Sequence, residues 1–148
     1  MPNECWNILR IVGHIEDLDV FEEKELKFES FFPTPNEYDW YAWATDNWGT
    51  KWERTNYSVV ERSPHELIVH FTTAWNAPLR FFEKLLELYP RCWIKLSYDT
   101  EGGEGGVWVS WMKGGLVQVS EAHWIAPEPR LTVNGEILVP DLAHEFNS

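Results

Sequence analysis

Hydrophobic and polar positions change period several times along the chain, and each change predicts an element. Residues 5–13, CWNILRIVG, are rich in β-branched and apolar side chains and end on Gly13, the pattern of a buried strand. The following stretch, HIEDLDVFEEKEL (14–26), sets Ile15, Leu18, Phe21 and Leu26 at roughly helical spacing, and its acidic first turn suits a helix N-terminus. Two prolines in SFFPTPN (30–36) break that pattern. EYDWYAWATDNWG (37–49) then places Trp40, Trp43 and Asn47 on one line and predicts a short helix closed by Gly49 in the left-handed region.

TKWERTNYSVVER (50–62) and LIVHFTTAW (67–75), joined by the turn SPHE, predict an antiparallel pair. APLRFFEKLLELYP (77–90) is the clearest helix, with Leu79, Phe82, Leu85, Leu86 and Tyr89 as its apolar stripe, Pro78 near its start and Pro90 at its stop. CWIKLSYDT (92–100) alternates as a strand, with Ile94, Leu96 and Tyr98 on one face and Trp93, Lys95 and Ser97 on the other. EGGEGG (101–106) reads as a flexible connection into a hairpin formed by VWVSWMK (107–113) and LVQVSEAHW (116–124). Asn134-Gly135 signals a last hairpin over 131–139, and the tail after Pro140 reads as a short helix or a frayed end.

The resulting order is βαββαβ followed by extra strands, the split-βαβ arrangement of ferredoxin-like folds. The expectation is one α+β domain over residues 1–148, with a ferredoxin-like antiparallel core at 1–113 and a C-terminal β extension at 114–148. Two principal helices cover one face, and a tryptophan-rich helical insertion interrupts the core.

Composition narrows the class of partner. Ten tryptophans and 44% hydrophobic residues exclude disorder in a chain of 148 residues. With 24 acidic against 12 basic side chains, the formal charge of −12 repels phosphate backbones and disfavours direct nucleic-acid binding. It favours a basic protein partner, including one that itself binds DNA. The start MPNECWNILRIVG reads as a strand, no run reaches transmembrane length, and Cys5 and Cys92 are the only cysteines, so the expected setting is intracellular with both thiols reduced.

Candidate chemistry is sparse. The histidines at 14, 65, 70, 123 and 144 show no metal-ligand spacing, and Cys5 and Cys92 fall toward opposite ends of neighbouring strands, so neither a metal nor a disulfide is expected. Ser110 lacks a nucleophile elbow, and EGGEGG lacks the Lys-Ser/Thr ending of a phosphate loop. No catalytic residue and no cofactor follow from the sequence. Two candidate binding groups remain. Trp93 and Lys95, with Ser97, form an aromatic and basic sheet face that resembles the surfaces on which nucleic-acid binding domains stack bases, unless the extra strands or a partner chain cover it. Trp40, Trp43, Trp48, Trp52 and Trp75 are expected to converge, either as a secondary core or as an aromatic pocket. Asn47, Thr50 or Thr73 would bond the indole N–H groups, and Lys51 would lie over a ring.

Three stretches carry a resemblance. PNECWNILRIVG is similar to the opening of the YubB-like, Api-type ferredoxin-like domains of phages, plasmids and other mobile elements. NWGTKW (47–52) resembles a signature of that family, and HFTTAWNAP followed by a helix resembles its TAW element. Glu4 stands where that pattern has tryptophan, and Asn76-Ala77-Pro78 follows the TAW. The resemblance implies a ferredoxin-like domain of viral or mobile-element type and implies no activity. The expected role is a non-enzymatic accessory protein working by protein–protein contact, as a host-factor or defence inhibitor, an acidic DNA mimic or a virion component. Its expected location is the host cytoplasm or the virion. The alternative is a nucleic-acid-associated domain using the sheet face.

Overall fold

The computed structural model describes residues 3–35, 40–125 and 128–137. Its first strand, β1 (Glu4–Val12), buries Cys5, Asn7, Leu9 and Ile11 and turns Trp6, Ile8 and Arg10 outward. The sequence expectation of a buried strand therefore holds for one face only. Three helices follow, α1 (Ile15–Glu23), α2 (Phe28–Phe31) and α3 (Trp40–Trp48). Strands β2 (Thr55–Ser63) and β3 (Glu66–Ala74), helix α4 (Leu79–Leu88) and strand β4 (Trp93–Thr100) complete the core. The remaining strands are β5 (Glu104–Lys113), β6 (Leu116–Ile125), β7 (Glu128–Val133) and β8 (Glu136–Ile137). Residues 37–39 of the expected third helix, 138–139 of the last hairpin and the tail after Pro140 lie outside the described residues.

The sheet order is β2-β3-β1-β4-β5-β6-β7-β8, antiparallel at every described pairing. The first four strands have the ferredoxin-like order, with β1 and β3 at the centre and a helical crossover before β2 and before β4. The described C-terminal strands lengthen the sheet at its β4 edge, each hydrogen-bonded to the one before it.

The helices pack on the other face. Leu18 and Phe21 of α1, Phe28 of α2, and Phe81, Phe82, Leu85 and Leu86 of α4 join Leu9, Ile11, Leu67, Val69, Ile94, Leu96 and Trp108 of the sheet in one buried cluster. Helix α2 has no clear sequence signal, because its start is capped from a distance. The Glu53 carboxylate accepts the N–H groups of Phe28 (2.7 Å) and Glu29 (2.9 Å). Phe28 is thereby held against Phe81, with ring centres 4.4 Å apart.

Cys5 pairs with Thr100 and Val12 with Trp93 in the β1–β4 ladder, so Cys5 and Cys92 lie at opposite ends of the sheet as free thiols. Burial pushes the Cys5 thiol up to about 11 and the Cys92 thiol up to about 12. Both stay protonated at neutral pH and behave as small apolar side chains.

The glycine-rich stretch divides in two. Gly103 sits in a turn with φ +90°, but Gly105 and Gly106 are inside β5. A Cβ at Gly105 would lie 2.4 Å from Trp124 Nε1, and one at Gly106 would lie 2.6 Å from the Tyr98 hydroxyl. These two glycines make room for aromatic rings lying across the strand.

Candidate functional site: a tryptophan corner

The stretches Asn3–Asn7, Asn47–Trp52 and Thr72–Asn76 meet at the end of the sheet where β1 begins and β3 ends. Buried polar contacts tie them together. The Asn7 side-chain amide donates to the Cys5 carbonyl and to Thr73 Oγ1, both at 3.1 Å, and Thr73 Oγ1 donates to the Asn76 carbonyl at 2.6 Å. Thr50, fully buried, donates to the Ala74 carbonyl at 2.7 Å. The Trp75 N–H donates to the Asn3 carbonyl at 2.8 Å.

The five tryptophans separate into different environments. Trp48, 4% exposed, ends α3 with its ring against Phe28 (5.6 Å) and edge-on to Trp43 (5.5 Å). Its indole N–H donates to the Phe32 carbonyl at 3.0 Å, a partner outside the three candidates raised from the sequence. Trp48 is core. Trp52 (37% exposed) and Trp75 (43% exposed) are surface residues. Trp40 is also exposed and contacts Tyr41 edge-on at 6.1 Å.

Gly49 directs this separation. Its φ is +81°, its N–H closes α3 onto Ala44 and Thr45, and a Cβ there would lie 3.1 Å from the Arg80 nitrogen at the start of α4. The chain therefore turns sharply after Trp48, buries Thr50 and releases Lys51 and Trp52 to the surface. Lys51 Nζ lies 4.7 Å from the Trp75 ring centre, 4.9 Å from that of Trp52 and 5.4 Å from that of Tyr41. Three rings thus surround one ammonium group. Trp75 adopts φ +67°, a conformation costly for a bulky residue, while its side chain stays half in solvent.

A cleft of about 210 Å³ adjoins this cage, lined by Asn3, Glu4, Trp52, Thr55, Thr72 and Ala74 among others. Lys51, Trp52 and Trp75 are therefore brought together, and Trp48 lies beneath them. Trp93 and Lys95 are elsewhere, on the open sheet face, where they pair with Val12 and Arg10 toward the far end of β1. Sequence reasoning missed Tyr41 at the cage and Trp6 and Ile8 on the open face, which are 46% and 50% exposed. Strict alternation of Cys5, Asn7, Leu9 and Ile11 with Trp6, Ile8 and Arg10 was the signal for the latter.

Two other clefts hold titratable groups. One of about 200 Å³ is lined by Trp75, Asn76, Tyr98, Glu104 and His123 among others, and burial pushes the Tyr98 hydroxyl up to about 12. No hydrogen bond joins Tyr98, Glu104 and His123 to one another. At the opposite end of the sheet, a cleft of about 480 Å³ is lined by His14, His65, Arg91 and Cys92 among others. There Arg91 is occupied by Asp17 (3.0 Å) and Glu16 (3.5 Å), and His65 Nδ1 lies 3.0 Å from the Gly13 carbonyl. Among the described residues no group of three metal-ligating side chains converges, and no helix is long and apolar enough to cross a membrane.

A family model described as the ferredoxin-like domain in Api92-like protein matches residues 47–125, just over half of the chain. The chain belongs to that family. The matched segment opens on Asn47, directly before Trp48 and Gly49, and runs to the end of β6. It takes in the Lys51 cage apart from Tyr41, and leaves β1 outside. No curated protein and no solved structure matches the chain.

Proposed function

We propose that this chain is a non-enzymatic accessory protein of a phage or other mobile element, of YubB-like type, that acts by holding a basic protein partner at its tryptophan corner. The observation that carries this reading is the Lys51 cage: Tyr41, Trp52 and Trp75 stand half-exposed around one ammonium, above a hydrogen-bonded floor. Exposed, rigidly seated tryptophans are the side chains that anchor protein interfaces. The charge of −12 supplies long-range attraction to a basic partner and repels nucleic acid. Inhibition of a host DNA-binding factor fits that balance, and so does a structural place in a virion.

The test is capture from host extract with the wild-type chain and with a Trp52→Ala/Trp75→Gly variant, in which glycine accepts the positive φ at position 75. Wild type should retain a basic protein at about 50 mM salt and lose it at high salt, and the variant should retain none. Equal capture by both chains, or no basic protein at any salt, overturns the reading.

A second reading rests on Trp93 and Lys95, which lie on the open sheet face beside Arg10. If single-stranded nucleic acid stacks there, oligonucleotides should quench tryptophan fluorescence, and Trp93→Ala should remove the effect.

A further inference from the structure

The open face of the sheet, opposite the helices, carries three cross-strand rows. They run Thr72–Trp6–Asp99–Gly105, His70–Ile8–Ser97–Val107 and Ile68–Arg10–Lys95–Val109. Apolar side chains (Trp6, Ile8, Ile68, Val107 and Val109) alternate with polar ones in them, and Trp6 and Ile8 stand half in solvent. Their formal charges are Arg10, Lys95 and Asp99, in a chain whose total is −12. Arg10 is paired with Glu66 at 2.6 Å, whereas Lys95 and Asp99 have no hydrogen-bond or ion-pair partner among the described residues. Two acidic chains meeting through this surface avoid most of their mutual repulsion.

We propose that this face is an interface with a second copy of the chain. A two-fold axis lying between the two sheets along the middle row sets that row against itself and exchanges the outer two. Lys95 of each copy then faces Asp99 of the other, Arg10 faces Trp6, and Ile8 and Val107 meet their own symmetry mates. The pattern is self-complementary, as an isologous contact requires. It provides the missing partner of both unpaired charges and places a guanidinium at an indole. Strands of about nine residues rising ~3.3 Å each, across the four strands of these rows ~4.8 Å apart, present roughly 570 Å² per copy. A standard interface takes about 800 Å² from each partner, so this contact belongs to the weak, reversible class. The first row borders the tryptophan corner, since Thr72 also lines its cleft, while Arg10 and Lys95 lie toward the other end of the sheet.

The experiment is sedimentation velocity from about 1 to about 200 µM, the weak end of the affinity range open to such interfaces, at about pH 8. Wild type, Lys95→Asp, Asp99→Lys and the double exchange are compared, with circular dichroism confirming that each is folded. Wild type should be dimeric within that range. Each single reversal should weaken the dimer at least tenfold by setting like charges opposite one another, and the double exchange should restore it. A wild-type chain that stays monomeric throughout overturns the proposal. So do single reversals that dimerise as wild type does, or a double exchange as weak as the singles. Quenching by oligo(dT) that is lost in Lys95→Asp while the chain stays monomeric also overturns it, and assigns the face to nucleic acid.

Discussion

The Lys51 ammonium lies 4.7 Å from the centre of the Trp75 ring, and Trp75 is held at φ +67° to meet it. A strained backbone therefore presents an indole that the core does not need. Trp48, only three residues before Lys51, is the tryptophan the core does need.

That contrast predicts unequal stability losses. Trp48→Ala removes a buried indole and its bond to the Phe32 carbonyl and should cost about 3–5 kcal/mol. Trp75→Gly removes a half-exposed ring and relieves the positive φ, so its cost should stay below about 1 kcal/mol. Urea melts of the two variants check both values. Equal losses would place Trp75 in the core.

The buried amide of Asn7 holds the floor of the corner. Asn7→Ala leaves Thr73 Oγ1 and the Cys5 carbonyl without that donor and should cost about 1–3 kcal/mol. Amide hydrogen exchange should quicken first at Trp75, whose N–H bonds the adjoining Asn3 carbonyl. Slowed or unchanged exchange at Trp75 would show that the floor is built differently.

Glycines 102 and 105 should respond in opposite ways to the same substitution. Gly105→Ala drives a methyl into Trp124 and Asp99 and should destabilise by about 1–3 kcal/mol, whereas Gly102→Ala meets nothing closer than 3.9 Å. Thermal melts decide, and a stable Gly105→Ala chain would mean that Trp124 does not cross β5.

Alkaline pH should destabilise the chain through its two thiols. Burial raises both above the ordinary thiol value, to about 11 for Cys5 and about 12 for Cys92. The unfolded chain therefore loses these protons first. Their contribution is complete below about pH 9 and is lost as pH rises through the folded values. The melting temperature should fall between about pH 9 and pH 12, and a Cys5→Ala/Cys92→Ala chain should show a shallower fall. A pH profile identical in both chains would remove the thiols from the explanation.

Much of the architecture was legible because it rests on local periodicity. The stripe of Leu79, Phe82, Leu85 and Leu86 predicted α4, and the alternation of Ile94 and Leu96 with Trp93 and Lys95 predicted β4 with its faces correctly assigned. What escaped depends on partners distant in sequence. Helix α2 needs Glu53 as its cap, and Gly105 belongs to a strand because Trp124 lies over it. The corner was half legible. Its residues were singled out, but which indoles turn inward depends on the left-handed backbone at Gly49 and Trp75, and side-chain spacing carries no trace of Trp75's conformation.

The most direct measurement is oxidative footprinting of the tryptophans by mass spectrometry, on the free chain and on the complex captured from host extract. In the free chain Trp52 and Trp75 should be modified readily and Trp48 protected, in line with exposures of 37%, 43% and 4%. In the complex Trp52 and Trp75 should become protected as well. If both stay as reactive in the complex as in the free chain, the tryptophan corner is not where the partner binds.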